Sequence, residues 1–285
     1  MEYIALLDES GNQVDQTHWF LYGGLVLGAS SATELHSRIR GIRRRAGYTR
    51  RLPLKWSFPR GPGSKGVTRE SHSQAVSELL EGCDQLDARL YAVLTPSLVT
   101  VRTRRDHRNV KFGASYVLGS IQRLMLGENS HCVAVIDRPP GTGGLSIFDE
   151  VISEGIPAGI AGKRRTRFYD RVIVTSISSI SSSRLLSAID VALGALNFGL
   201  HCSPGNLQRA TDFYGRVRPL LLRATPPISA QHYGPWGYGL RIRPMQLRPQ
   251  FHGQARSAAQ KIASLGERFP PLDTRLGFVG KWLSP

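Results

Sequence analysis

The sequence predicts a mixed α/β fold, a central sheet flanked by helices, with a basic, Pro/Gly-rich extension at the C-terminal end. Three observations carry this expectation. Short β-type apolar runs alternate along residues 1–199 with segments of helical spacing. Two of those runs, YIALLD and HCVAVID, end on a carboxylate. Beyond residue 200 the periodicity gives way to Pro- and Gly-rich stretches such as PPIS and YGPWGYG.

Taken in order, residues 3–8 read as a strand entering a turn at Ser10-Gly11-Asn12, and residues 18–27 (HWFLYGGLVL) as its hairpin partner. From Ser31 the spacing becomes helical, with Leu35, Ile39 and Ile42 on one face, Arg38, Arg40, Arg43, Arg44 and Arg45 elsewhere, and Gly47 as the stop. A Pro/Gly-rich loop at 57–66 separates this helix from a second at 67–83. Residues 88–94 then read as a strand, 111–126 as a helix, 131–137 as a strand and 167–177 as a further strand. Ser182 or Ser183 is placed to cap a helix over about 184–198. Strands and helices in this order predict a layered α/β domain over residues 1–199, with 200–285 as a separate basic extension.

At 285 residues the chain is long enough to bury its own core. Lys and Arg number 37 against 21 Asp and Glu, a net charge of +16, which favours a polyanionic partner, although a solvated Arg-rich surface accounts for bare charge equally well. Residues 200–285 hold 12 Lys/Arg and 3 Asp/Glu, so +9 of the excess lies in the extension. A hydrophobic content of 41% excludes the disordered class. No apolar run reaches the roughly 18 residues of a membrane span, and MEYIALLDESG lacks a basic segment followed by an apolar one. The expectation is therefore a cytoplasmic protein with no membrane association. Cys83, Cys132 and Cys202 are isolated in sequence and read as small core residues, and the eight His show no zinc spacing.

Three acids sit among apolar residues: Asp8 in ALLDESG, Asp137 in CVAVIDRP and Asp190 in RLLSAIDVALGAL. On a helix, Leu186, Leu193 and Asn197 share the face of Asp190, so its carboxylate points with the apolar side. A single Asp after a strand is ordinarily a turn former or cap. Three in such settings suggest convergence, because a buried carboxylate needs a partner. Converging carboxylates suit Mg²⁺ or Mn²⁺, and two such ions about 4 Å apart activate a water and stabilise the leaving oxygen in phosphodiester cleavage.

The motifs Asp8-Glu9-Ser10-Gly11, Gly23-Gly24-Leu25-Val26, Leu54-Lys55-Trp56, Asp137-Arg138 and Ile189-Asp190-Val191-Ala192-Leu193-Gly194 occur in that order over residues 3 to about 199. They resemble the bacterial family called domain of unknown function 3800. That resemblance implies a ribonuclease-H-like fold with Asp8, Asp137 and Asp190 as metal-binding acids, Glu9 as a fourth ligand or orienting group, and Lys55 as a phosphate contact. The family's acid two residues before the lysine is Pro53 here, leaving Glu9 or Glu34 as substitutes, and Ile189-Asp190 replaces the usual Ala-Asp pair.

For nucleic acid, the cationic candidates are Arg43, Arg44 and Arg45, the run 102–111, and Lys163, Arg164, Arg165 and Arg167. In the extension, Arg241 and Arg243 are interleaved with Tyr233, Trp236 and Tyr238, a pattern suited to stacking on single strands, although ordinary packing of a Gly/Pro-rich loop accounts for it more readily. Residues 139–144 (PPGTGG) lack the GK[ST] ending of a phosphate-binding loop. The function expected is a Mg²⁺- or Mn²⁺-dependent nuclease acting on DNA or RNA. The alternatives are a non-catalytic nucleic-acid-binding module or a subunit of a defence or mobile-element complex, with self-association or a protein partner left open.

Overall fold

The structure is a computed structural model that describes residues 2–10, 19–60, 64–96, 108–137, 148, 151–153, 156–158, 165–167, 169–178, 180, 183–224, 239–242, 260 and 264–265. Its elements run β1 (Tyr3–Ser10), β2 (Trp19–Gly28), α1 (Ala29–Arg45), α2 (Arg69–Gln85), β3 (Arg89–Pro96), α3 (Arg108–Gly127) and β4 (Cys132–Asp137). They continue with β5 (Ile156–Ala158), β6 (Arg165–Arg167), β7 (Val172–Ser178), α4 (Leu186–His201), α5 (Leu207–Leu222) and β8 (Leu240–Ile242). The main sheet has the strand order β7-β4-β1-β2-β3-β8, and β5 and β6 form a separate two-stranded ribbon.

The expected hairpin is present: β1 and β2 pair antiparallel from Tyr3↔Gly28 to Ser10↔Leu21. β3 continues the antiparallel ladder on one side, whereas β4 and β7 add in parallel on the other. The sheet is therefore mixed, with its first strand central.

Alternation of side chains along β1 explains how both faces become buried. Leu6 joins a cluster with Leu193 and Leu196 of α4, Leu35 and Ile39 of α1, and Leu79 of α2. Ala5 and Leu7 join a second cluster with Val117, Leu118 and Ile121 of α3. The pair Gly23-Gly24 lets the two helix layers approach β2. A Cβ on Gly23 would stand 2.5 Å from Leu193 Cδ2, and one on Gly24 would stand 2.6 Å from Val117 Cγ1.

Three expectations need correction. The helix over 184–198 begins at Leu186, without a side-chain cap; Ser183 contributes its backbone carbonyl to Leu186 N at 3.2 Å instead. The strand over 167–177 begins only at Val172. Gln122 of α3 explains this, because it binds the Asp170 carboxylate and accepts from Arg171 N at 3.0 Å, fixing a bend just before the strand. The domain boundary at 199 falls inside a shared core: Phe213, Tyr214, Val217, Leu220 and Leu221 of α5 are buried with α4 and α2, and β8 pairs with β3. The sequence pattern hid this because Arg209, Arg216 and Arg218 give α5 a basic outer face.

Gly47 stops α1 as expected, with φ at +82°, and a side chain there would collide with the Gly66 backbone. Cys83, Cys132 and Cys202 are buried free thiols. Among the described residues, no helix is long and apolar enough to cross a membrane.

Candidate active site

β1 and β4 are adjacent and parallel, with Leu7 opposite Ile136, so the next residues, Asp8 and Asp137, end neighbouring strands. Leu7 and Ile136 both face α3, so alternation turns Asp8 and Asp137 to the α4 face. α4 crosses that face and carries Asp190 between the buried Ile189 and Val191. The three acids expected to converge are in this way brought to one end of one face.

Their electrostatics report the same proximity. Asp8 is only 8% exposed, and its carboxyl is held well above the usual carboxylate range, first by burial and then by the charges of Asp190 and Asp137. Asp190 is raised as well, again chiefly by burial and also by Asp137, against the hydrogen bond from Trp56 N and the nearby Lys55 ammonium. Asp8 Oδ1 accepts from Glu9 N at 2.7 Å, and Asp190 Oδ2 accepts from Trp56 N at 2.6 Å. The donor set is all carboxylate, with neither thiolate nor imidazole among the interacting acids, which fits a hard cation such as Mg²⁺ or Mn²⁺. Among the described residues, no three His, Cys, Asp or Glu side chains are already closed into a metal-holding group. The acids are thus coupled through their charges without being drawn onto one point.

Trp56 is seated by the sequence around Asp190. Gly194, one turn along α4, has no side chain because the Trp56 Cβ and Cγ occupy that space. Trp56 also packs edge-on against Phe213 at 5.0 Å and tilted against Phe198 at 5.7 Å, so α5 helps to hold the 54–56 segment on α4. The motifs Leu54-Lys55-Trp56 and Asp190 to Gly194 are therefore two halves of one contact. Leu54 is fully buried beside them.

Other candidates fare differently. Glu9 pairs across the ladder with Tyr22 and so lies on the α3 face, where it, Asp8 and Asp137 raise the Tyr22 hydroxyl, after burial, well above the ordinary tyrosine range. The Tyr22 Oη has no hydrogen-bond partner among the described residues. Glu34 is an exposed residue of α1 that pairs with Arg38 at 2.5 Å, which removes it as a substitute ligand. Arg43 is no phosphate contact: it is 5% exposed, and its guanidinium donates to Thr49 O at 2.9 Å and also to the carbonyls of Arg50 and Leu52. Arg44 is exposed, and Arg45 is exposed but paired with Glu78 at 2.6 Å. Arg165 and Arg167 lie on β6 and Arg241 on β8. Lys163, Arg164, Arg243, Tyr233, Trp236, Tyr238 and the stretches 102–107 and 139–144 lie outside the described residues.

Sequence reasoning missed His72 and Tyr48. His72 stands in the first turn of α2, 6% exposed, with Nδ1 2.6 Å from Tyr48 Oη and Nε2 3.1 Å from Trp56 O. Nothing in the spacing of a single His inside a helical pattern distinguishes it from a surface residue. Compared with protein-family models, with curated proteins and with solved structures, the chain has no match.

Proposed function

We propose that the chain is a divalent-metal-dependent nuclease of ribonuclease-H-like architecture, in which Asp8, Asp137 and Asp190 hold Mg²⁺ or Mn²⁺ and the substrate is nucleic acid. The observation that carries this is the meeting of three carboxylates from β1, β4 and α4 at one end of one sheet face, with the pKa of Asp8 raised by burial and by Asp190 and Asp137, and that of Asp190 by burial and by Asp137. A protein core does not stabilise such a group by itself, because desolvation and like-charge repulsion both act against it. A hard dication relieves both.

Further support comes from the mixed sheet with a central first strand, and from the acids falling on the first strand, a later central strand and the following helix, as the family resemblance implies. When bound, the cation supplies water activation and stabilisation of the leaving oxygen. The chain's own groups do the positioning. Trp56 N–H orients Asp190, Glu9 N–H fixes Asp8, and Lys55 beside Asp190 offers a cation to a phosphate oxygen.

The test is incubation with labelled single- and double-stranded DNA and RNA, with and without Mn²⁺. Mn²⁺-dependent cleavage by the wild type that Asp137→Asn abolishes, with the fold retained, is the expected result. Full activity in that variant would remove the proposal. Tight, salt-steep binding without cleavage would mark a binding module instead.

A further inference from the structure

The 54–56 segment has no regular structure of its own, yet it delivers a backbone N–H to Asp190. That N–H belongs to the Lys55–Trp56 peptide, and it stays in place only if the backbone on the other side of the Trp56 Cα is held as well. The Trp56 carbonyl meets His72 Nε2 at 3.1 Å, and since a carbonyl only accepts, Nε2 carries the proton. In a neutral ring Nδ1 is then an acceptor, and Tyr48 Oη donates to it at 2.6 Å. Burial, with the Arg209 charge in support, lowers the His72 pKa, against the pull of the Trp56 carbonyl, and so favours the neutral ring.

Both anchors of this ring are themselves built in. α2 starts in a capping box, with Ser71 N donating to Thr68 Oγ1 at 3.0 Å, and Ser71 Oγ donates to Ala46 O at 3.1 Å, tying the first turn of α2 to the end of α1. Tyr48 follows the left-handed Gly47, with its N–H on Arg43 O at 2.9 Å. The Phe58 ring stands edge-on to the imidazole at 5.5 Å, closing its remaining side. A polar side chain this buried, with both nitrogens engaged by two separate segments, has one available orientation.

We propose that His72 is a positioning residue for the acid site: held by Tyr48, it clamps the Trp56 carbonyl so that the Trp56 N–H stays on Asp190 Oδ2 and leaves Oδ1 to the cation. This rests on the assignment of Asp190 as a cation ligand, and it adds an outer layer to that ligand through the two peptide groups that flank the Trp56 Cα, the kind of support that fixes ligand orientation in metal sites.

The test compares His72→Gln, His72→Asn and His72→Leu by amide hydrogen exchange at Trp56 and by calorimetric titration with Mn²⁺. A Gln amide reaches the Nε2 position, whereas Asn reaches only the Nδ1 position, so the two differ in donation to Trp56 O while changing polarity equally. His72→Gln should keep Trp56 amide protection and Mn²⁺ affinity within about 3-fold of wild type. His72→Asn and His72→Leu should exchange the Trp56 amide roughly 10-fold faster and bind Mn²⁺ about 10-fold more weakly. Equal Trp56 protection in His72→Gln and His72→Asn would overturn the proposal, even if His72→Leu fails to fold. If the wild type binds no Mn²⁺, the metal assignment falls by itself, and the Trp56 exchange pattern still decides whether His72 holds the peptide.

Discussion

The two faces of the central sheet are built from the same strands, yet among the described residues the three clustered carboxylates stand on one of them. Asp8 and Glu9 are adjacent in sequence and part to opposite faces. The α3 face is closed by the apolar layer of Val117, Leu118, Ile121 and Phe148. The α4 face has an equally apolar floor, but its upper end holds Asp8, Asp137 and Asp190, with Trp56 and His72 arranged around them. The lesson is that burial alone does not separate a core face from a working face. What separates them is polar groups kept in the core at a cost and oriented by further polar groups.

A glycine on each flanking helix makes the comparison experimental. Gly194 on α4 gives its space to Trp56, and Gly113 on α3 gives its space to the Cβ and Cγ of Tyr22. Because the near ends of the aromatic side chains are struck, neither site can relax by moving a flexible tip. Gly194→Ala and Gly113→Ala should each lose about 1–3 kcal/mol in urea unfolding. Only Gly194→Ala should also weaken Mn²⁺ binding by about 10-fold, because only it displaces the peptide that orients Asp190. Equal effects of the two on metal affinity would erase the distinction between the faces.

Arg43 sharpens a second contrast, between a buried cation that builds the fold and the exposed cations Arg44 and Arg45 beside it. Arg43→Ala removes the donor of three carbonyls that hold the 49–52 turn and should cost about 2–3 kcal/mol. Arg44→Ala and Arg45→Ala should stay within about 0.5 kcal/mol of wild type in the same melts. A large stability loss in either of these, or none in Arg43→Ala, would reverse their roles.

The acid cluster also sets a pH dependence. Burial raises the folded-state pKa of Asp8 and Asp190, so protonated acids fit the core and ionised acids oppose it. Without metal, the stability these two acids contribute should be fully present below the ordinary carboxylate pKa of about 4 and be lost as pH rises from there through the raised values. Asp8→Asn should flatten that fall and stabilise the metal-free protein by on the order of 1 kcal/mol at neutral pH. Thermal melts across pH, with metal chelated, check this, and a wild-type protein that gains stability as pH rises would contradict it.

Much of this was readable from residues alone, and the limits are physical. The hairpin, the strands ending on acids and the apolar setting of Asp190 follow from periodicity. Leu186 and Leu193 are fully buried on the stripe that Asp190 shares. The roles of Arg43 and His72 were not readable, because each depends on partners in other elements that no local pattern encodes. Arg43 reads as one of a basic triplet until the turn after Gly47 brings three carbonyls onto it. α5 was hidden for another reason: its apolar stripe was outweighed by the surrounding Pro, Gly and Arg content, although Phe213 packs directly on Trp56.

The central claim is that Asp8, Asp137 and Asp190 hold a divalent cation together, and calorimetric titration of the wild type and the three single Asp→Asn variants with Mn²⁺ tests it most directly. The predicted result is saturable binding by the wild type that is lost or weakened by at least about 10-fold in each variant, all four proteins melting cooperatively. Undiminished binding in Asp190→Asn, or no binding by the wild type, would contradict it.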